Sequence, residues 1–460
     1  MDRMRGGRPQ RVRLYGRRRA GKKVFAPAVS GLVIALIALM LAMFLQFPAP
    51  GLPFFKIRVA QAALSGGEGA DGAFPAASGF GGGSRLFKDM VGVNHFLALS
   101  EAADGEELDL AAQLGYGYVR TEMVWPFVEQ GEKGAYDFEA YDRLVEQIAS
   151  RGMAPLFVLS FGNALYGEQF GARSAAAQAA YARFAAAAAA RFPHSATQVI
   201  WELGNEPNNK AFWQPEPRPA EYAALAVKAA KAIREADPGA VIIGPSTLLV
   251  DYRYLEECFK RGLLSYVDAV SVHPYRSDPP ESVFADYRRL RELIGKYCPR
   301  GRKVEVVVSE WGYTAAGPGG EKRQAEYLPR MFLGAAMEGI PLLVWYDFRN
   351  DGPDSSEVEQ NFGIMTQNFA PKPVFDAMRE MMYTVGELRF ERRFRSDPRD
   401  YILLFSDPGQ ARRTVLAAWT VGPEHAVILA NGDRLFLSGQ PVYRPVNPVL
   451  RERPEAYPER

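Results

Sequence analysis

From residue 90 onward, short apolar runs alternate with longer stretches of helical periodicity. The apolar runs are Val91 to Phe96, Tyr118 to Trp125, Ala154 to Phe161, Val199 to Leu203, Val241 to Pro245, Ala269 to His273, Val304 to Ser309 and Leu342 to Trp345. Between them, Glu106 to Leu114, Tyr141 to Ser150, Ala175 to Arg191, Pro219 to Ala236 and Phe284 to Lys296 are amphipathic or alanine-rich, as helices would be. Strand followed by helix, repeated, builds a parallel sheet. Eight such units within residues 86–386 predict an α/β fold closed as a (β/α)8 TIM barrel, because an open doubly wound sheet rarely needs eight strands. No glycine-rich phosphate loop follows the first strand, so nothing points to a dinucleotide fold.

After the helix that Pro373 opens, the pattern changes to β-rich runs at Arg389 to Phe394, Tyr401 to Ser406, Thr414 to Thr420 and Val427 to Leu429. The breaks Asp397-Pro398, Asp407-Pro408-Gly409 and Asn431-Gly432-Asp433 between them are turn signals. Residues 387–445 are therefore expected to form a small sandwich-like β module covering barrel surface, and 446–460 a C-terminal tail.

The N-terminus reads differently. Residues 28–47 contain only Ser30 and Gln46 as polar members, and about 20 residues of helix reach roughly 30 Å, enough to cross a bilayer. The basic head, residues 1–27, holds ten Lys/Arg against the single acid Asp2 and sets the N-terminus in the cytoplasm. One transmembrane signal anchor is expected, with the rest of the chain outside the cell; the alternative is cleavage after Ala60-Gln61-Ala62 and secretion. Residues 48–85 are rich in Gly, Ala and Pro and read as a tether. Because that head carries so much of the positive charge, the net +2 of the 460 residues conceals a mildly acidic body with no basic stripe for nucleic acid. Two cysteines, Cys258 and Cys298, exclude a disulfide framework and leave open one bridge or two thiols on neighbouring helices.

Chemistry in a barrel of this kind sits at the C-terminal ends of the strands. The fourth run ends in Trp201-Glu202-Leu203-Gly204-Asn205-Glu206-Pro207-Asn208, and the seventh in Val308-Ser309-Glu310-Trp311-Gly312. Two acids three βα units apart can face each other across the mouth, and a facing acid pair is what glycoside hydrolysis requires. Arg120 closes the second run, His273 and Tyr275 close the sixth in Ser271-Val272-His273-Pro274-Tyr275, and Trp345 lies in the eighth.

Together these residues resemble glycoside hydrolase clan A over about 300 residues, most nearly family 39, with family 5 the near neighbour. The resemblance implies a retaining hydrolase with Glu310 as nucleophile and Glu206 as general acid/base. It also implies an extracellular polysaccharide or oligosaccharide substrate, and some family 39 relatives act on bacterial exopolysaccharides. On this reading Arg120 and Tyr275 keep Glu310 ionised. Glu206 begins protonated and later serves as base towards water. Asn205 reaches the sugar 2-hydroxyl, and His273 is a further supporting residue. Trp345 is the expected stacking floor, with Trp125, Trp213, Trp311 and Tyr313 lining neighbouring subsites. Asn94, His95, Asp347 and Asn350 are candidate substrate contacts. Glu202 lies four residues deeper than Glu206 and is expected to partner Arg120 or His273.

Other chemistries fare worse. The four histidines, His95, His194, His273 and His425, show no ligand spacing, so neither a metal nor another cofactor is expected. There is no Gly-x-Ser-x-Gly elbow for a serine hydrolase. Two alternatives stay open: a sugar-binding protein that has lost catalysis, and a transglycosidase on the same scaffold. The acids Asp347, Asp351, Asp354, Glu357 and Glu359 suit either a cationic sugar or a solvated loop.

Overall fold

A computed structural model describes residues 80, 85–95, 104–409, 413–446 and 456–458. The expected membrane segment 28–47 and the basic head lie outside these residues; among the described residues no helix is long and apolar enough to cross a membrane. The barrel strands are β1 (Val91–Asn94), β2 (Tyr118–Val124), β3 (Ala154–Ser160), β4 (Ile200–Glu202), β5 (Val241–Ile243), β6 (Thr247–Leu248), β7 (Ala269–His273), β8 (Glu305–Trp311) and β9 (Leu343–Trp345). They pair in the order β5-β4-β3-β2-β1-β9-β8-β7-β6, and a further β5–β7 pairing closes the ring. All these ladders are parallel. The eight apolar runs became β1 to β5 and β7 to β9. The two-residue β6 has no apolar run to announce it, and it pairs with β7 alone.

Side chains sort by strand alternation. Leu156, Val158, Ile200, Val241, Ile243, Ala269, Val307, Leu342 and Val344 form one interior cluster, which Phe80 joins. Phe80 is thus a fixed point at the end of a segment whose composition predicted only a tether. Their neighbours on the strands face outward into the much larger layer beneath the helices, where Trp125, Trp201, Trp311 and Trp345 are buried. The outer helices Ala175–Arg191 and Pro219–Ala236 keep the limits that their alanine-rich patterns predicted. Cys258 and Cys298 are both free thiols.

The C-terminal module contains two antiparallel sheets. One has the order β10 (Arg389–Arg393), β11 (Asp400–Ser406), β12 (Thr414–Thr420), β15 (Val442–Pro445); the other has β14 (Arg434–Leu437), β13 (His425–Leu429), β16 (Ala456–Pro458). Between them lies an apolar cluster that includes Phe394, Ile402, Leu404, Leu416, Val427, Leu435 and Leu437. Strand β16 corrects the expected tail: Ile428 and Leu429 of β13 pair with Tyr457 and Ala456, so part of 446–460 completes the second sheet.

The other face of β11 and β12 docks on the barrel. Tyr401, Leu403, Phe405, Val415, Ala417 and Trp419 belong to the barrel's outer core. At the seam, Arg330 holds Glu281 bidentately at 2.8 and 2.7 Å, and the Trp419 indole N–H donates to the same carboxylate at 2.7 Å. Both charged side chains are nearly inaccessible, 4% and 6% exposed. Glu281→Ala is expected to leave a buried guanidinium unpaired and cost about 3–5 kcal/mol, read as a lower midpoint in denaturant unfolding.

Candidate active site

Arg120 organises the mouth of the barrel. Its position on β2 turns it inward, where Nε donates to Glu202 at 2.8 Å, Nη1 to Asn94 at 2.9 Å and to Glu310 at 2.7 Å, and Nη2 to Asn205 at 2.8 Å. The planar guanidinium therefore ties together β1, β2, β8 and the loop that follows β4. Glu202 is wholly buried and serves as a charge partner of Arg120, one of the two roles its depth in the strand suggested.

The two mouth carboxylates are held by different means. Glu310 receives Arg120 on one oxygen and the Tyr275 hydroxyl on the other at 2.8 Å. Burial alone would push its carboxyl up; the His273 imidazole, the Arg120 charge and the hydrogen bonds from Tyr275 and Arg120 outweigh burial and hold it below the ordinary glutamate range. Burial and the neighbouring Glu310 push the Tyr275 phenol far up, so it remains a donor. Glu206 receives the Asn209 amide on one oxygen at 2.9 Å, and its other oxygen lies 3.0 Å from His273 Nδ1. The second ring nitrogen of His273 meets Ser309 Oγ at 3.1 Å, which fixes the imidazole between β8 and the loop that follows β4.

The backbone at Glu206 is unusual for a residue with a side chain, with φ at +42°. It follows Gly204 at φ +82° and is pinned by its N–H donating to Ser246 O at 3.0 Å, while Ser246 Oγ donates to Gly204 O at 2.6 Å. Strain of this kind persists where surrounding structure imposes it, and here it turns the Glu206 carboxyl towards Glu310. One donor atom each from Glu206, His273 and Glu310 lie within 4.8 Å of one another. That trio could also approach a divalent cation, but both oxygens of each glutamate already have internal partners, so a cation would compete with Arg120, Tyr275 and Asn209.

The remaining candidates separate. Asn94 is brought in as an Arg120 partner, whereas His95 pairs with Glu107 and packs its ring 5.6 Å from Phe348. Trp125 is wholly buried against Tyr166, Tyr181 and Phe184, with its indole on Glu129 at 2.6 Å. Trp345 and Trp311 are 0% and 1% exposed in the outer layer, so none of these three tryptophans faces the mouth. The physical reason is phase: Val344 is the inward residue of β9, which makes Trp345 outward. The aromatic that reaches the site is Tyr346, its ring 6.4 Å from Tyr275 and 5.5 Å from Phe362. A Cβ on Gly312 would run into the Tyr346 carbonyl, so glycine is required there for β8 and the chain after β9 to approach. Asn350 holds Asn361 and buried Lys372 beneath the acidic loop.

Glu122, two residues beyond Arg120, also faces the mouth, and burial pushes its carboxyl up to about 7. Its period-two spacing from Arg120 was the signal available in the sequence. Asn209 and Tyr346 had none, because a turn and a strand phase place them.

A family model described as Cellulase (glycosyl hydrolase family 5) matches residues 87–348, more than half of the chain. The chain belongs to this family. Among solved structures, the fold resembles a family 39 glycoside hydrolase from the gut symbiont Bacteroides cellulosilyticus WH2, with 22% identity over 79% of this chain and 82% of that one and a TM-score of 0.67. A family 39 enzyme from Xanthomonas axonopodis pv. citri gives 18%, 75%, 77% and 0.57 on the same measures, and a family 39 β-xylosidase from Caulobacter crescentus gives 18%, 75%, 83% and 0.56. No curated protein matches significantly. The resemblance to clan A, near family 39 with family 5 beside it, is borne out.

Because the Glu310 carboxyl is lower in the folded protein than its ordinary value of 4.5, its ionisation stabilises the fold above that value, and the contribution disappears as pH falls through the folded value. Tyr275→Phe removes one of the restraining hydrogen bonds. Isotope-edited carboxyl NMR of that variant is expected to find Glu310 titrating at higher pH than in the wild type.

Proposed function

We propose that the protein is a retaining glycoside hydrolase that cleaves O-glycosidic, β-configured bonds of an extracellular polysaccharide or oligosaccharide. The observation that carries this reading is the facing pair Glu206 and Glu310, with carboxylate oxygens within 4.8 Å. Retaining enzymes hold their two carboxyl groups about 5–5.5 Å apart, whereas inverting enzymes leave room for a water between them.

The asymmetry of the pair supports a division of roles. Glu310, kept ionised, attacks the anomeric carbon and forms the glycosyl ester. Glu206 gives its proton to the departing oxygen, then takes a proton from the water that hydrolyses the ester. The free Asn205 amide N–H is left to the sugar 2-hydroxyl, since its oxygen already accepts from Arg120. Tyr346 supplies the aromatic surface that Trp345 was expected to give. The family 39 β-xylosidase of similar fold is consistent with a β-glycoside substrate. The apolar segment 28–47 behind its basic head supports membrane anchoring with the catalytic domain outside the cell, where an exopolysaccharide would be the accessible polymer.

The full chain is expected to release reducing ends from a β-linked polysaccharide or the host's own exopolysaccharide, and Glu310→Gln to lower that rate by about 10⁴-fold. Polymer binding without release by either protein would favour the binding-only reading. A slow 2-fluoro glycoside should leave its sugar on the peptide holding Glu310; label on another acid overturns the assignment. With a good leaving group Glu206→Ala should still be labelled, and azide should restore its turnover. Cell fractionation should find the intact chain in the membrane, and a released form beginning near Ala63 would show cleavage instead.

A further inference from the structure

Four carboxyl groups at the mouth have no role in the mechanism above: Glu122, Asp347, Asp351 and Glu359. Asp347 differs from the others in being 3% exposed, with its Oδ1 lacking any hydrogen-bond partner among the described residues. Trp345 and Phe348 on either side pack into the layer beneath the helices, which leaves Tyr346 on the side of the mouth, and Asp347 lies near enough to Glu310 to feel its charge. The Tyr346 ring lies beside Tyr275, the residue that holds Glu310, and the Phe348 N–H donates to Asn94 O at 3.1 Å. Asp347 is thus beside the sugar position that Glu310, Arg120 and Asn94 define.

The neighbouring cations make their hydrogen bonds elsewhere. Lys372 Nζ donates to Asn350 Oδ1 and Asn361 O at 3.1 Å and to Gly363 O at 2.5 Å. Arg349 pairs with Glu107 at 3.1 Å, and Arg120 is committed to Glu202 and Glu310. Among the described residues no cation reaches salt-bridge distance of the four carboxyl groups, although Lys372 and Arg349 attract Asp347, Arg349 and His95 attract Asp351, and Arg120 attracts Glu122 from further off. Phe362 packs 5.9 Å from Tyr275 and brings Glu359, three residues earlier, to the same rim.

We propose that the sugar bound on the Glu310 side of the cleft carries a free ammonium group, with Asp347 as its ion-pair partner and Glu122, Asp351 and Glu359 supplying the surrounding negative field. The inference rests on the glycosidase reading and names the substrate class of that site. A sugar hydroxyl would offer these carboxyls only a hydrogen bond, whereas an ammonium would also draw them into their ionised form. Burial with repulsion from Asp351 and Glu310 outweighs the attraction of Lys372 and Arg349 and pushes the Asp347 carboxyl well above the usual range, and burial raises Asp351 and Glu359 to about 6 and about 7, so a bound ammonium would favour ionisation of all three.

The test compares kcat/KM of the full chain on aryl β-glucosides and β-galactosides in which an amine replaces the hydroxyl at C2, C3, C4 or C6, at a pH where the amine is charged. At least one amine is expected to be preferred over its parent by about tenfold, the worth of one charge-assisted hydrogen bond. Added salt should shrink that preference. Asp347→Asn should abolish it, and Glu359→Gln, an isosteric change at a partly exposed position, should reduce it. Poorer cleavage of every amine than of its parent, or a preference that survives Asp347→Asn, overturns the proposal while leaving the glycosidase reading intact. Absence of turnover on all glycosides together with absence of 2-fluoro labelling at Glu310 overturns both.

Discussion

A single buried guanidinium holds the site together. Removing a charged group from water costs several kcal/mol, and Arg120 and Glu202 are both essentially inaccessible, so each depends on the other. Having met Glu202, the guanidinium still has N–H groups to satisfy, and it places them on Asn94, Asn205 and Glu310. The same hydrogen bonds therefore stabilise the barrel mouth and set the ionisation of Glu310. Structure and chemistry share one set of contacts, which is why the strands at the mouth have little freedom of register.

The barrel supplies the precision that this hub needs. Parallel strands β2, β3 and β4 are registered so that Arg120 sits across from Leu156, and Leu156 from Ile200. The far end is tied independently by Asp268, which accepts from Arg234 at 2.8 Å and from Arg302 at 3.4 Å. The β module closes one flank through Glu281, Arg330 and Trp419, a buried polar seam set in an otherwise apolar contact. Rigid support on several sides lets Glu206 hold a backbone conformation that an isolated chain would avoid.

Around this hub the mouth is markedly acidic. Glu310 is held low by its partners, while Glu122 and Glu359 are raised to about 7 by burial, although all belong to one rim. Position relative to Arg120 and Tyr275 separates these groups; residue type does not. Perturbed acids of opposite direction in one cleft are the kind of contrast that functional sites concentrate.

The sequence by itself determined the eight βα units, the β module and the positions of Arg120, Asn205, Glu206, His273, Tyr275 and Glu310. These follow from hydrophobic period and from polar residues at the ends of apolar runs, both local properties. Only the tertiary structure decided which side of each strand faces the cleft. Trp345 and Tyr346 are adjacent in sequence and both aromatic, yet the phase set by Val344 buries the first and brings the second to the mouth. Strand β16, the two-residue β6 and the reach of Asn209 to Glu206 likewise arise from pairings between distant segments. A local pattern cannot encode such pairings, because what selects them is the simultaneous closure of the ring and the burial of its charges.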